Sequence, residues 1–171
     1  MRLYRSILGP EFEHLSQTLR EFHDEAYSAK GVFTVTHDSC IISKILIPFL
    51  RLPKAGVDLP MTLDIAVQGN EEAWTRFIGP SKLVSHQSNE NGLLKEKTDP
   101  LTFRFKVSVI NGGMEFTQLS CAFLGVPLPK FCSPRVKAKI TPATDGWSVH
   151  VVISFGQVST ICQYEGGAEL R

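Results

Sequence analysis

LTFRFKVSVINGG, residues 101–113, is the stretch whose reading decides the fold. Leu101, Phe103, Phe105, Val107 and Val109 alternate with Thr102, Arg104, Lys106 and Ser108. A period of two makes a strand with one dry face and one wet face. Asn111-Gly112-Gly113 then supplies the residues a tight hairpin turn demands. The unit is therefore a strand that doubles back, and the sequence on either side repeats it.

Toward the C-terminus, Glu115 to Leu124 reads as a strand with broken alternation, which predicts a bulge. Val136, Ala138 and Ile140 face inward while Arg135, Lys137 and Lys139 face water. Asp145-Gly146 marks a further hairpin before Trp147, Val149, Val151, Ile153 and Phe155, and a last strand spans Val158 to Tyr164 ahead of a Gly166-Gly167 tail. Toward the N-terminus, Leu63, Ile65 and Val67 alternate with polar or small residues, and Gly69-Asn70 turns the chain. Trp74, Arg76 and Ile78 share one strand face before Gly79-Pro80, and Gly31 to Thr36 is a short strand. About seven or eight strands thus follow at hairpin spacing, with no helix between them to make parallel crossovers.

The N-terminal segments have a different period. Phe12, Leu15, Leu19 and Phe22 recur at spacings of three and four after Gly9-Pro10, predicting a helix over about residues 11–23. Asp38 and Ser39 offer caps for a second helix, about 40–52, which is apolar on nearly all sides and interrupted by Pro48. Such a helix is either deeply buried or lies over a hydrophobic groove. The expected architecture is α+β and mainly β: one domain over 1–171. Its antiparallel meander, about 59–165, curls into a half-barrel or small barrel under two N-terminal helices.

Composition narrows the function classes. The 171 residues are 43% apolar and 20% charged, with 18 basic against 17 acidic side chains. Nucleic-acid binders concentrate positive charge to neutralise phosphates, so this balance argues against such a partner. Cys40, Cys121, Cys132 and Cys162 are dispersed, with no C-x-x-C pair, and read as free thiols rather than a zinc site or disulfide framework. The greasiest stretch, Cys40 to Leu52, falls short of the about 20 apolar residues a bilayer span needs. No apolar leader precedes Pro10, and a cytoplasmic location is expected.

No residue pattern announces a reaction. His14, His23, His37, His86 and His150 lack metal-ligand spacing, and no phosphate loop or nucleophile elbow is present. His23 would serve as a cation at the end of the first helix, and His150 would be solvated. No cofactor, metal or catalytic residue is assigned. Trp74 and Arg76 stand first among candidates, because a guanidinium beside an indole can hold a carboxylate or phosphate while the ring supplies apolar area, an anion-anchoring corner inside a greasy cavity. The plainer account is a surface arginine stacked on a structural tryptophan and paired with Glu96. Phe103, Phe105 and Trp147 would complete a ligand-binding wall with Trp74, Arg76 and Glu96.

The chain resembles the domain of unknown function 4166 family along nearly its whole length. The matching pieces are Leu3-Tyr4 with Leu8-Gly9, Leu19 to His23, Trp74-Thr75-Arg76, residues 125–129 with Pro134, Asp145-Gly146, and Tyr164-Glu165-Gly166. Ile78 stands where that pattern carries an aromatic, and Phe155 where it carries a proline. The resemblance implies no activity. It implies a context, since such domains occur behind nucleotide-binding oxidoreductase-like domains or at the end of membrane-protein chains.

Three readings follow in order. The first is a non-catalytic module for an apolar or amphipathic small molecule, whose acidic head meets Arg76. The second is an accessory domain that docks a protein through a sheet edge or the Pro127–Pro134 loop. The third is an enzyme whose cleft joins Arg76, Glu96 and a histidine.

Overall fold

The computed structural model describes residues 2–25, 27–39, 41–156 and 159–171. Its strands are β1 (Ser28–His37), β2 (Gly56–Gln68), β3 (Glu71–Ile78), β4 (Ser81–Glu90), β5 (Leu93–Thr98), β6 (Leu101–Ile110), β7 (Gly113–Phe123), β8 (Val126–Pro127), β9 (Pro134–Ala143), β10 (Gly146–Phe155) and β11 (Ser159–Leu170). Strands β1 to β7 pair antiparallel in chain order, β7 passes to β9, and β11 returns to β1. Ten strands therefore close into a barrel, with two-residue β8 flanking the end of β7. Closure removes the free edges that a meander must otherwise protect.

Of the two expected forms, the half-barrel is corrected and the barrel holds. The cause is β11, which continues through Gly166-Gly167 to Leu170 and pairs with β1 from Ala29↔Leu170 to His37↔Cys162. Glycine is poor in strands, so the pair reads as a tail in sequence. At Gly166, and at Gly31 across from the pair on β1, the lack of a side chain is required: a Cβ on Gly31 would lie 2.0 Å from the Gly167 carbonyl oxygen, and one on Gly166 would lie 2.1 Å from that of Val32. Val158, the expected start of this strand, lies outside the described residues.

The helical part also differs from expectation. Residues 11–23 do not form one helix. α1 (Leu3–Leu8) leads into a 3-10 segment, Gly9–His14, and α2 (Gln17–Asp24) follows. The break falls at Leu15-Ser16, where Leu15 is extended (φ −67°, ψ 153°) and the Ser16 hydroxyl caps α2 by accepting from the Leu19 amide. The second helix, α3 (Ile41–Phe49), sits between β1 and β2; Cys40 is outside the described residues. It ends one residue past Pro48, where Arg51 turns the chain with φ 53°.

β4 and β5 were not foreseen, although Asn91-Gly92 between them has the left-handed conformations of a hairpin turn (φ 55° and 81°). The expected bulge is present in β7. Phe105 pairs with Gln118 and Arg104 with Ser120, which leaves Leu119 as the extra residue.

These elements give the barrel two different ends. α1 and α2 plug the end that carries the β2–β3, β4–β5 and β6–β7 hairpins, and the Ser16 amide donates to the Gly112 carbonyl at 2.8 Å. Phe12 and Leu19 are fully buried there, each stabilising by about 1.5–3 kcal/mol. Arg5 fastens the plug, reaching Asp24 at 2.5 Å and Glu13 at 2.6 Å. The opposite end carries α3 with the β3–β4, β5–β6 and β7–β8 connections.

Candidate functional site

The barrel register aims a polar row into an otherwise apolar interior. Glu72 on β3 stands opposite Gln87 on β4, Gln87 opposite Glu96 on β5, and Glu96 opposite Phe103 on β6. Trp74 and Arg76 follow Glu72 on the same face of β3, because alternate residues of a strand point the same way.

These groups form one connected network. The Arg76 guanidinium lies 3.6 Å from a Glu96 carboxylate oxygen and donates to the Ser85 hydroxyl at 3.0 Å. It also sits over the Trp74 ring, 5.1 Å from the centroid. The Gln87 amide donates to Glu96 at 3.1 Å, and its oxygen accepts from the Tyr4 hydroxyl at 3.1 Å. The Trp74 indole donates to Glu72 at 3.0 Å, and Glu72 also accepts from the Leu3 amide at the start of α1 at 3.3 Å. The plug is thus tied to the same side chains that line the interior.

Two chambers meet at this network. The inner chamber, about 160 Å³, lies between the plug and the barrel wall, against Phe22, Trp74, Phe105 and Trp147. The outer chamber, about 380 Å³, opens at the α3 end against Leu50, Leu52, Leu83, Phe103 and Ile153. Arg76, Glu96, Phe105, Val136 and Tyr164 border both. Burial pushes the Tyr164 phenol up to about 12, so it is a neutral donor or acceptor at physiological pH.

The six residues expected at a ligand wall are all on chamber walls. Trp74, Arg76, Glu96, Phe105 and Trp147 border the inner chamber and Phe103 the outer one. The Trp74–Arg76–Glu96 association is present, with Trp74 6% exposed and the Arg76 and Glu96 side chains partly exposed on the chamber walls. Sequence reasoning missed Tyr4, Ser85, Gln87 and Tyr164. Tyr164 was accessible to it, because Cys162, Tyr164 and Ala168 continue the inward alternation of β11.

The histidines separate clearly. His23 is corrected: rather than a cation at a helix end, it is a buried ring, 3% exposed and packed against Tyr4, Phe22 and Trp74 at centroid distances of 4.1, 4.8 and 6.1 Å. Burial, aided by Arg2, pushes it down to about 3, so its ring is neutral. Its Nε2 has no hydrogen-bond partner among the described residues. His150 is exposed and lies 3.9 Å from Glu165 on the outer wall, while His86 is exposed beside the outer chamber. Among the described residues no three His, Cys, Asp or Glu side chains gather as a metal site. Cys121, Cys132 and Cys162 are free, and burial holds the Cys121 and Cys162 thiols up at about 11.

With this geometry established, comparison with known proteins assigns the family. The family described as Domain of unknown function (DUF4166) matches residues 15–167. The chain belongs to the DUF4166 family. The match runs from the break before α2 to Gly167 in β11 and so takes in nearly all of the barrel. No curated protein matches the chain. Among solved structures, the chain is similar to a secretary abundant heat soluble (SAHS) protein from Ramazzottius varieornatus, at 8% identity and a TM-score of 0.44. That alignment covers 86% of this chain and 95% of the other. Among the described residues of this DUF4166 member, no helix is long and apolar enough to cross a membrane.

Proposed function

We propose that this barrel is a non-catalytic carrier of one apolar or amphipathic small molecule, held end-on along the barrel axis. The apolar body lies against Trp74, Phe105 and Trp147, and the polar group sits where the two chambers meet. The observation that carries this reading is the Arg76–Glu96 pair at 3.6 Å on the wall of a mostly apolar interior. Largely apolar clefts with a few convergent polar groups are the usual form of small-molecule sites.

The pair also refines what the head group is. Glu96 already balances Arg76, so a carboxylate head gains Arg76 only by competing with Glu96. A neutral head with both donor and acceptor character, such as a hydroxyl or an amide, uses the Arg76 N–H groups, the Glu96 oxygens and the Tyr164 phenol together. Catalysis fits less well. General acid–base work needs a group poised near the operating pH, and His23, the histidine in the inner chamber, is held far below it. The free thiols accord with a reducing, cytoplasmic setting.

Trp74 and Trp147 are the chain's two tryptophans and both border the inner chamber, so intrinsic fluorescence reports occupancy. The test is a titration of solvent-extracted protein with an alkyl alcohol, the matching carboxylic acid and the matching alkane. A saturable fluorescence change, strongest for the alcohol, is expected. Absence of saturation with all three refutes the proposal.

A further inference from the structure

α3 is apolar apart from Ser43 and Lys44, and its described side chains differ sharply in burial from one side to the other. Ser43 is fully buried, and Leu46 and Ile47 rest on the barrel. The other side carries Ile41, Ile45 and Phe49 at spacings of four, 76%, 63% and 51% exposed. Single exposed apolar side chains are ordinary on a protein surface, but an aligned stripe is not. The stripe also continues past the helix. Phe49 stacks on Phe123 at 6.1 Å, and Leu124, Val126 and Phe131 are exposed at the same end of the barrel.

The charge around this face selects its partner. Lys44 shares the exposed side of α3, Arg51 and Lys54 follow it, and Lys130 adjoins Phe131. All four are exposed, and none makes an ion pair among the described residues. Of the acids at this end, Asp38, Asp58 and Asp99, none lies on α3, and Asp99 is engaged by Lys97 at 3.2 Å; at the plug, Arg5 pairs with Glu13 and Asp24, and Arg20 pairs with Glu13. Lysine is depleted at protein–protein interfaces. An apolar stripe flanked by lysine and arginine is the pattern of a helix lying in a bilayer interface. Leu50, Arg51 and Leu52, immediately after the helix, line the outer chamber, so the same face surrounds the barrel's opening.

We propose that the α3 end seats on an anionic lipid bilayer, with Ile41, Ile45 and Phe49 in the headgroup region and the basic residues on lipid phosphates. The barrel mouth then faces the membrane. This inference does not depend on the interior being a carrier site, because it concerns the outer surface alone.

The test is co-sedimentation of the full chain with phosphatidylcholine vesicles, with and without phosphatidylglycerol. Binding is expected with phosphatidylglycerol present, and it weakens as salt is raised. The exposed-site double variant Ile45→Ser with Phe49→Ser should abolish it. Lys44→Gln should weaken it roughly fivefold. Both variants should keep the wild-type thermal transition, which separates lost docking from lost folding. Failure of the wild type to sediment with anionic vesicles overturns the proposal, as does undiminished binding by the double variant. So does a lipid-free dimer that the double variant breaks while no vesicle binding is seen, since the face would then belong to a second copy of the chain.

Discussion

Arg76 and Glu96 sit two strands apart, yet the barrel brings guanidinium and carboxylate to 3.6 Å on the inward face of the wall. Neither belongs to a recognisable motif. Their meeting depends on β3, β4 and β5 running as consecutive antiparallel hairpins, with Ser85 and Gln87 from the middle strand completing the contacts. The pair is a charged feature that borders both chambers, and the account of the molecule rests on it.

Glu96→Gln keeps an acceptor for Gln87 but removes the charge that balances Arg76. A loss of about 1–3 kcal/mol is expected, because the surviving cation is only partly reached by solvent. In the carrier reading, the same variant moves ligand preference from alcohol toward carboxylate. Urea unfolding checks the first outcome and the fluorescence titration the second; an unchanged preference contradicts the head-group assignment.

His23 gives the protein a pH dependence of definite sign. Its folded value is pushed down to about 3 against an ordinary value near 6.5, so the unfolded chain takes up a proton that the folded chain refuses. The contribution is fully present above about pH 6.5 and is lost as pH falls toward 3, at about 1.4 kcal/mol per pH unit. The carboxylates lowered by arginine contacts, Asp24, Glu13 and Glu90, act at lower pH, so comparing pH 7 with pH 5 isolates the histidine. His23→Phe should flatten unfolding free energy across that interval; a slope equal to wild type counts against the assignment.

The barrel is least tightly paired between β7 and β9, whose register runs only from Met114↔Ile140 to Thr117↔Lys137. Beyond it, the Gln118 side chain takes the place of a strand neighbour. Its amide donates to the Pro134 carbonyl at 2.9 Å and its oxygen accepts from the Val136 amide at 2.7 Å. Gln118→Ala should cost about 1–3 kcal/mol and expose the Val136 amide to hydrogen exchange. Unchanged protection at Val136 would show that the bridge contributes nothing.

Legibility from sequence followed chemistry that repeats. β6 and its Asn111-Gly112 hairpin were plain because alternation and turn residues agreed. β4 and β5 were hidden because their inward positions include Ser85, Gln87 and Glu96, so the polar network erased the pattern that marks a strand. Gly166-Gly167 concealed closure for a related reason, since what requires glycine at Gly166 is the Val32 carbonyl of the neighbouring strand and not the local sequence. The site was partly legible: Trp74, Arg76 and Glu96 were singled out by type. Their common direction depended on the long-range register that only the fold supplies, and so did the burial that neutralises His23.

The most direct test of the central claim is the tryptophan titration of solvent-extracted wild type alongside Ala138→Phe, which places a ring into the inner chamber. The account predicts saturable one-to-one binding of a long-chain alcohol to wild type, and at least a tenfold weakening (about 1.4 kcal/mol) in the variant at unchanged thermal stability. Equal binding by both proteins, or no saturable binding by wild type, would contradict it.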